Sequence, residues 1–258
     1  MSRLLLVAHG SRDPRYAASY ETLCLKLREQ GHAARVGHLG LCGPDVVEAA
    51  RLLAREGGAM QEGPMVAVPM FLNHGYHVAH DVPAAVAAAR ISLVAEPLGP
   101  DPLLIEAMES RLRELGVWPG DPDTAVVLAS AGTSDAAARD VLESAAADWA
   151  RTGWHSVSPA YAGAAAPDAA RAVAGARAAG ARDVVIASYF LAPGLLADRV
   201  ATGVPGIRMA APLATPADVD PALLRLVLQR AGAVLQPRAL QHGGRPRPGI
   251  RSGSALRR

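Results

Sequence analysis

The sequence predicts an α/β fold built twice: two copies of one domain, each a mainly four-stranded parallel sheet with helices on both faces. Three observations carry this. Short, nearly continuous apolar runs such as Leu4–Ala8, Val66–Met70 and Val184–Leu191 alternate with longer stretches whose apolar residues recur at helical spacing. Strands apolar on both sides belong to sheets covered on both faces, the usual condition of parallel sheets. After Gly120-Asp121-Pro122-Asp123 the pattern starts again, and self-similarity at a long period marks a duplication.

The elements follow in order. Leu4–Ala8 is a buried strand, and Asp13-Pro14 is an N-cap with proline at the first helical position, opening a helix that runs to about Gln30 and stops at Gly31. Ala33–Leu39 reads as the second strand. Pro44 is expected to open a helix with Val46, Val47, Ala50, Leu53 and Ala54 on one face, ending at Gly57-Gly58. Val66–Met70 is the third strand. A helix near Val82–Arg90, a fourth strand Ile91–Ala95 and a long helix from Asp101 or Pro102 to Leu115 complete the copy.

In the second copy, Val126–Asp135 lies over Leu4–Asp13 once the two are aligned on their Gly-Ser/Thr step, which puts Ala131 where His9 stands. Val184–Leu191 with Pro193-Gly194-Leu195-Leu196 matches Val66–Leu72 with His74-Gly75-Tyr76-His77, which puts Leu196 in the place of His77. Ala211-Pro212-Leu213 echoes Glu96-Pro97-Leu98. The expected organisation is residues 1–118, 124–234 and a disordered tail at 235–258.

Composition excludes several classes. Half of the 258 residues are apolar, enough for a full core. No apolar run approaches the roughly 20 residues of a membrane span, and the short apolar start is no signal peptide. The expectation is a cytoplasmic protein with no membrane or nucleic-acid partner. The tail carries six arginines and no acids, and taking those charges from the formal +2 leaves the body at −4. A nucleic-acid protein would carry its positive charge on the folded body. Cys24 and Cys42 are too few for a disulfide framework and read as buried, reduced thiols.

Chemistry concentrates at two strand ends. Leu4–Ala8 runs directly into His9-Gly10-Ser11, and Val66–Met70 is followed by His74, His77, His80 and Asp81. Parallel strands joined by right-handed crossovers point their carboxyl ends to one sheet edge, where α/β folds bind ligands. The first and third strands are commonly neighbours about 5 Å apart, so His9 and His77 can converge on one ion. Neither has a histidine counterpart in the second copy. Two imidazoles suit a divalent ion such as Fe²⁺, Co²⁺, Ni²⁺ or Zn²⁺ and leave the open shell that a departing metal needs. His74 and His80 read as solvent-facing loop residues. Asp81 is placed to orient an imidazole or take its proton, to cap the helix containing Pro83, or to do both.

With these residues in view, the chain resembles the class II tetrapyrrole chelatases, the sirohydrochlorin cobalt/iron chelatases. The resemblance rests on Val-Ala-His-Gly-Ser-Arg-Asp at 7–13, on Val-Pro-Met-Phe-Leu, Gly-Tyr-His-Val and Asp-Val-Pro within 68–83, and on Pro-Leu-Gly-Pro-Asp-Pro at 97–102. It covers the first half strongly and the second half weakly. It implies a chelatase-like fold, insertion of a divalent metal into sirohydrochlorin for siroheme or cobalamin synthesis, and His9 and His77 as metal ligands. Fe²⁺ ranks first and Co²⁺ second, with Ni²⁺ within reach of the same ligands, and no organic cofactor is implied. The family often has glutamate where Gly40 stands, so that accessory acid is either missing here or supplied by Asp81 or Glu96. Ser11, Arg12 and Arg15, at the start of the first helix, are expected to meet the substrate's carboxylates.

Two other classes use the same residues. Ser11 with His9 and Asp13 suggests a hydrolase, although no Gly-x-Ser-x-Gly elbow is present. A non-catalytic metal or tetrapyrrole carrier would need the same ligands as a chelatase.

Overall fold

The computed structural model describes residues 2–56, 63–133, 135–163 and 165–236. The first copy comprises β1 (Arg3–Ala8), α1 (Pro14–Glu29), β2 (Ala33–His38), α2 (Val46–Glu56), β3 (Met65–Pro69), a π-helix (His77–Asp81), α3 (Val82–Ala88), β4 (Leu93–Val94) and α4 (Pro102–Glu114). The second comprises β5 (Thr124–Ser130), α5 (Ala136–Ala150), β6 (Ser156–Tyr161), α6 (Ala169–Ala178), β7 (Asp183–Tyr189), α7 (Leu195–Gly203), β8 (Arg208–Met209) and α8 (Pro221–Leu235). The sheets repeat one order, β2-β1-β3-β4 and β6-β5-β7-β8, and all six strand pairings are parallel. No helix among the described residues is long and apolar enough to cross a membrane.

The helix starts follow the expected chemistry. Asp13, Asp101 and Asp220 each accept the backbone N–H two residues on, with proline at the first helical position. Other boundaries differ from the sequence reading. Pro44 follows a cis peptide bond and lies outside the helix. Asp45 starts α2 instead, its carboxylate accepting the Glu48 N–H at 2.8 Å. β4 is only Leu93–Val94, shorter than the expected Ile91–Ala95, because only Val66 and Ala67 of β3 pair with it. Gly57-Gly58 lies outside the described residues. So does the expected tail beyond Gln236, while Leu235 still belongs to α8.

The two copies exchange their last helices. α4 packs on β7 of the second sheet, α8 packs on β3 and β4 of the first, and the two helices pack on each other. One buried cluster therefore runs through both copies, from Leu4, Leu6, Val66 and Val68 through Leu104, Met108 and Leu223 to Val126, Leu128 and Val185. Two smaller clusters lie under the outer helices, Leu5 and Val7 with α2 and α3, and Val127 and Ile186 with α6 and α7. Each exchanged helix carries an arginine that ties down the other copy. Arg230 on α8 donates to Pro97 O at 2.8 Å, Leu98 O at 3.0 Å and Asp101 Oδ2 at 2.9 Å. Arg111 on α4, buried to 2% exposure, donates to Leu213 O at 3.2 Å and pairs with Asp218 at 2.8 Å. A carbonyl that ends a buried loop needs such a donor.

Candidate metal centre

β1 delivers His9 where its buried run stops. Gly10 then turns the chain back at φ 95°, in a region that disfavours side chains. A Cβ there would also lie 1.8 Å from Gly40 O, so only glycine lets the loops after β1 and β2 approach this closely. His9 is exposed, and its Nδ1 lies 3.0 Å from Gly10 O. A carbonyl only accepts, so Nδ1 carries the proton and Nε2 keeps its lone pair.

His77 opens the π-helix, in which the Val82 N–H reaches back to His77 O. Such wide turns are rare and recur at functional sites. Its Nδ1 lies 2.5 Å from Asp81 Oδ2. The carboxylate fixes the same tautomer, and Nε2 is again the open nitrogen. The His9 and His77 rings meet edge to face, with centroids 4.5 Å apart. Phe71, in the loop that leads from β3, lies nearly parallel to the His77 ring at 6.3 Å and supports it from behind.

The structure sorts the other predicted residues. Asp81 has helical backbone angles and makes no cap bond; the capping alternative is corrected, because its carboxylate is spent on His77. His80 stacks on Tyr76 at 4.5 Å and bonds Tyr76 O through Nδ1 at 3.2 Å. His74 lines a separate cavity of about 260 Å³ with Asn73, Pro100 and Asp135. Among the described residues no group of three His, Cys, Asp or Glu side chains could hold a metal; of the predicted ligands, His9 and His77 are the two whose rings meet. A side chain at Gly40 would enter open space, and Glu96 is exposed just beyond β4.

Ser11 Oγ accepts the Asp13 N–H at 3.1 Å and Asp13 caps α1. This turn recurs with Thr133 and Asp135 in the second copy, so its first duty is to start a helix. The hydrolase reading fails here, since neither the His9 ring nor the Asp13 carboxylate bonds to the Ser11 hydroxyl. Arg15 is not free for a substrate carboxylate as expected: its Nη2 lies 2.6 Å from Asp13 Oδ2 and 2.5 Å from Asp198 Oδ2. Its hydrogen bonds hold the Asp13 carboxyl below the usual carboxylate range. Arg12 is exposed and makes no ion pair among the described residues. Cys24 is buried, and burial pushes its thiol up to about 12. Cys42 departs from the buried, inert reading, being half-buried with its sulfur taking the Ser11 N–H at 3.5 Å.

Asp198 was missed by sequence reasoning. It occupies the place of Ala79 at the repeat offset that maps His77 onto Leu196, so the duplication carried a signal for an acid on the opposite wall. Tyr16 was missed as well: its hydroxyl accepts the Gly10 N–H at 3.4 Å, bracing the turn after His9.

Comparison with known proteins identifies the family and the fold. A family model described as CbiX matches the chain twice, over residues 3–115 and 125–233. A sirohydrochlorin cobaltochelatase from Methanopyrus kandleri is 30% identical over 143 residues, 44% of this chain and 96% of the relative. The sirohydrochlorin cobaltochelatase of Priestia megaterium is 27% identical over 212 residues, 78% of this chain and 67% of the relative. The structure of SirB from Bacillus subtilis with Fe³⁺ shares the fold, with a TM-score of 0.68 over 91% of this chain and 96% of that one at 18% identity. With both halves matched by one family model, and two like-ordered sheets to carry the match, this chain belongs to the CbiX family.

Proposed function

We propose that the protein is a sirohydrochlorin chelatase that inserts a divalent metal, with Fe²⁺ and Co²⁺ as metal substrates held by His9 and His77. The observation that carries this reading is the pair of imidazoles 4.5 Å apart, each with Nδ1 hydrogen-bonded and Nε2 open. The names of the relatives give the reaction class. The folded copies at 1–118 and 124–234 form the two walls, and the second wall, with Ala131 and Leu196 in place of the histidines, supplies shape.

The chemistry closes on these residues. Insertion replaces two pyrrole N–H protons with M²⁺ and releases two H⁺. As the ion passes from two Nε2 atoms to the four tetrapyrrole nitrogens, each vacated Nε2 is left as a base beside an N–H that must lose its proton. Two histidines thus match two protons. Asp81, bonded to His77 Nδ1 and half exposed, gives that ring a hydrogen-bonded route to water. Arg12 and the first turn of α1 are placed to meet substrate carboxylates, with Arg15 joining them only by leaving Asp198.

The test is anaerobic insertion of Co²⁺ and Fe²⁺, followed by the absorbance of sirohydrochlorin. Wild-type protein should turn over with either metal, and His9→Ala and His77→Ala should each lose at least about a hundredfold in kcat/KM while melting like wild type. Tight binding of metal and sirohydrochlorin without turnover would instead make the protein a carrier.

A further inference from the structure

Apolar side chains left in water concentrate around the two histidines. Of the seven large hydrophobic residues exposed among the described ones, Leu41 and Tyr76 lie on the segments that pack beside or lead into His9 and His77, Leu195 starts α7, and the three are the most exposed apart from Trp118. Tyr76 immediately precedes His77, presents 70% of its surface and stands edge-on to the His77 ring at 6.2 Å. Its counterpart in the duplication is Leu195, also 70% exposed, the first residue of α7. One turn on, Asp198 binds Arg15 of α1, which brings the start of α7 to the helix that follows His9.

Leu41 completes the set from the third side. Its neighbour Gly40 abuts Gly10 and its neighbour Cys42 takes the Ser11 N–H, so Leu41 is pinned beside the His9 turn. It is held at φ 65°, a left-handed conformation that disfavours a leucine. Exposure and unfavourable backbone in one residue are two costs with no return inside the folded chain. An observed outlier of this kind points to function, and glycine, already used at 40 and 43, would have removed both costs.

We propose that Leu41, Tyr76 and Leu195 form an apolar rim that grips the flat faces of the tetrapyrrole beside the histidine pair. This rests on the chelatase reading. The substrate wears its carboxylates on its edge, whereas its ring faces are extensive π surface that gains by leaving water against aliphatic and aromatic side chains. Cations at the start of α1 take the edge and the rim takes the faces. The duplication supplies the same knob from both walls, tyrosine on the metal-bearing side and leucine opposite, which suits a sheet-like ligand held between them.

The experiment measures binding of metal-free sirohydrochlorin, steady-state insertion and Co²⁺ affinity in Tyr76→Ala, Leu195→Ser and Leu41→Gly. Each should raise Kd and KM for sirohydrochlorin about tenfold, with Co²⁺ affinity kept within about twofold of wild type. Leu41→Gly should also melt at or above the wild-type temperature, since glycine accepts the left-handed backbone; a purely structural leucine would give the reverse. The rim is overturned if the three variants bind sirohydrochlorin like wild type, if their Co²⁺ affinity falls in step with it, or if they only shift self-association in gel filtration. A wild-type protein that binds sirohydrochlorin through these residues yet inserts neither metal would retire the reaction and leave the rim standing.

Discussion

Asp81 lies one turn beyond His77 and holds its Nδ1 at 2.5 Å, leaving Nε2 as the open nitrogen. Removing the carboxylate frees the ring to rotate and lets either tautomer form. Asp81→Ala should lower metal affinity or kcat/KM by about 10- to 100-fold, and Asp81→Asn, which can still accept from Nδ1, should recover part of that. Equal turnover in Asp81→Ala and wild type would show that Asp81 neither orients His77 nor carries its proton.

One ion per chain is expected from the asymmetry of the copies. Ala131 and Leu196 occupy the places of His9 and His77, and the described residues contain no group of three potential ligands. Calorimetric titration with Co²⁺ should give a stoichiometry near one that disappears in the His9→Ala/His77→Ala double variant. A second equivalent that survives the double substitution would place metal chemistry in the second copy.

Two imidazoles provide little selectivity. Nitrogen ligands favour divalent ions in the order Fe²⁺ < Co²⁺ < Ni²⁺, so protein offered excess Co²⁺ without oxygen should insert it at least as fast as Fe²⁺. Refusal of Co²⁺ would mean that groups beyond His9 and His77 choose the metal.

Arg111 is a structural cation. Its guanidinium is buried and spans copies, binding Leu213 O and Asp218, and these hydrogen bonds hold the Asp218 carboxyl below its usual range. Arg111→Ala should cost about 2–4 kcal/mol in denaturant unfolding. The exposed Arg225–Glu106 pair between α8 and α4 should be worth less than about 1 kcal/mol. Equal effects of Arg111→Ala and Arg225→Ala would remove the distinction.

His38 provides a pH signature. It is 2% exposed with no partner for Nε2, and burial lowers its pKa despite the Pro44 carbonyl at Nδ1. Below about pH 6.5 the unfolded chain binds a proton that the folded chain refuses, so stability should fall with pH, by at most about 1.4 kcal/mol per unit from this group. Tyr161 stands at the same place in the second copy. His38→Tyr should flatten the slope between about pH 6.5 and 5, and an unchanged slope would clear His38 of the effect.

Much of this was legible in the sequence, and what was not has physical causes. Apolar runs fix buried strands because both faces must be covered, and Asp-Pro marks helix starts because each residue does one local job. The rule that first and third strands of such sheets are commonly neighbours then brought the segments carrying His9 and His77 together before any coordinates. The π-helix was hidden because one residue of extra winding leaves no compositional trace. Arg15 was misdirected because its partner, Asp198, lies 183 residues away, and long-range pairing cannot be read from spacing. The exchange of α4 and α8 was likewise invisible, since a helix with one apolar stripe does not say which sheet it covers.

That exchange determines how the protein can move. Walls joined only at 120–123 could swing like covers on a spine, but here each wall is roofed by a helix whose root is in the other. Pulling them apart would strip α4 from β7 and α8 from β3 and break the Arg111 and Arg230 clasps together. The two copies are therefore expected to move as one body, and a large ligand at the His9–His77 pair would be admitted by side chains and loops that yield around it.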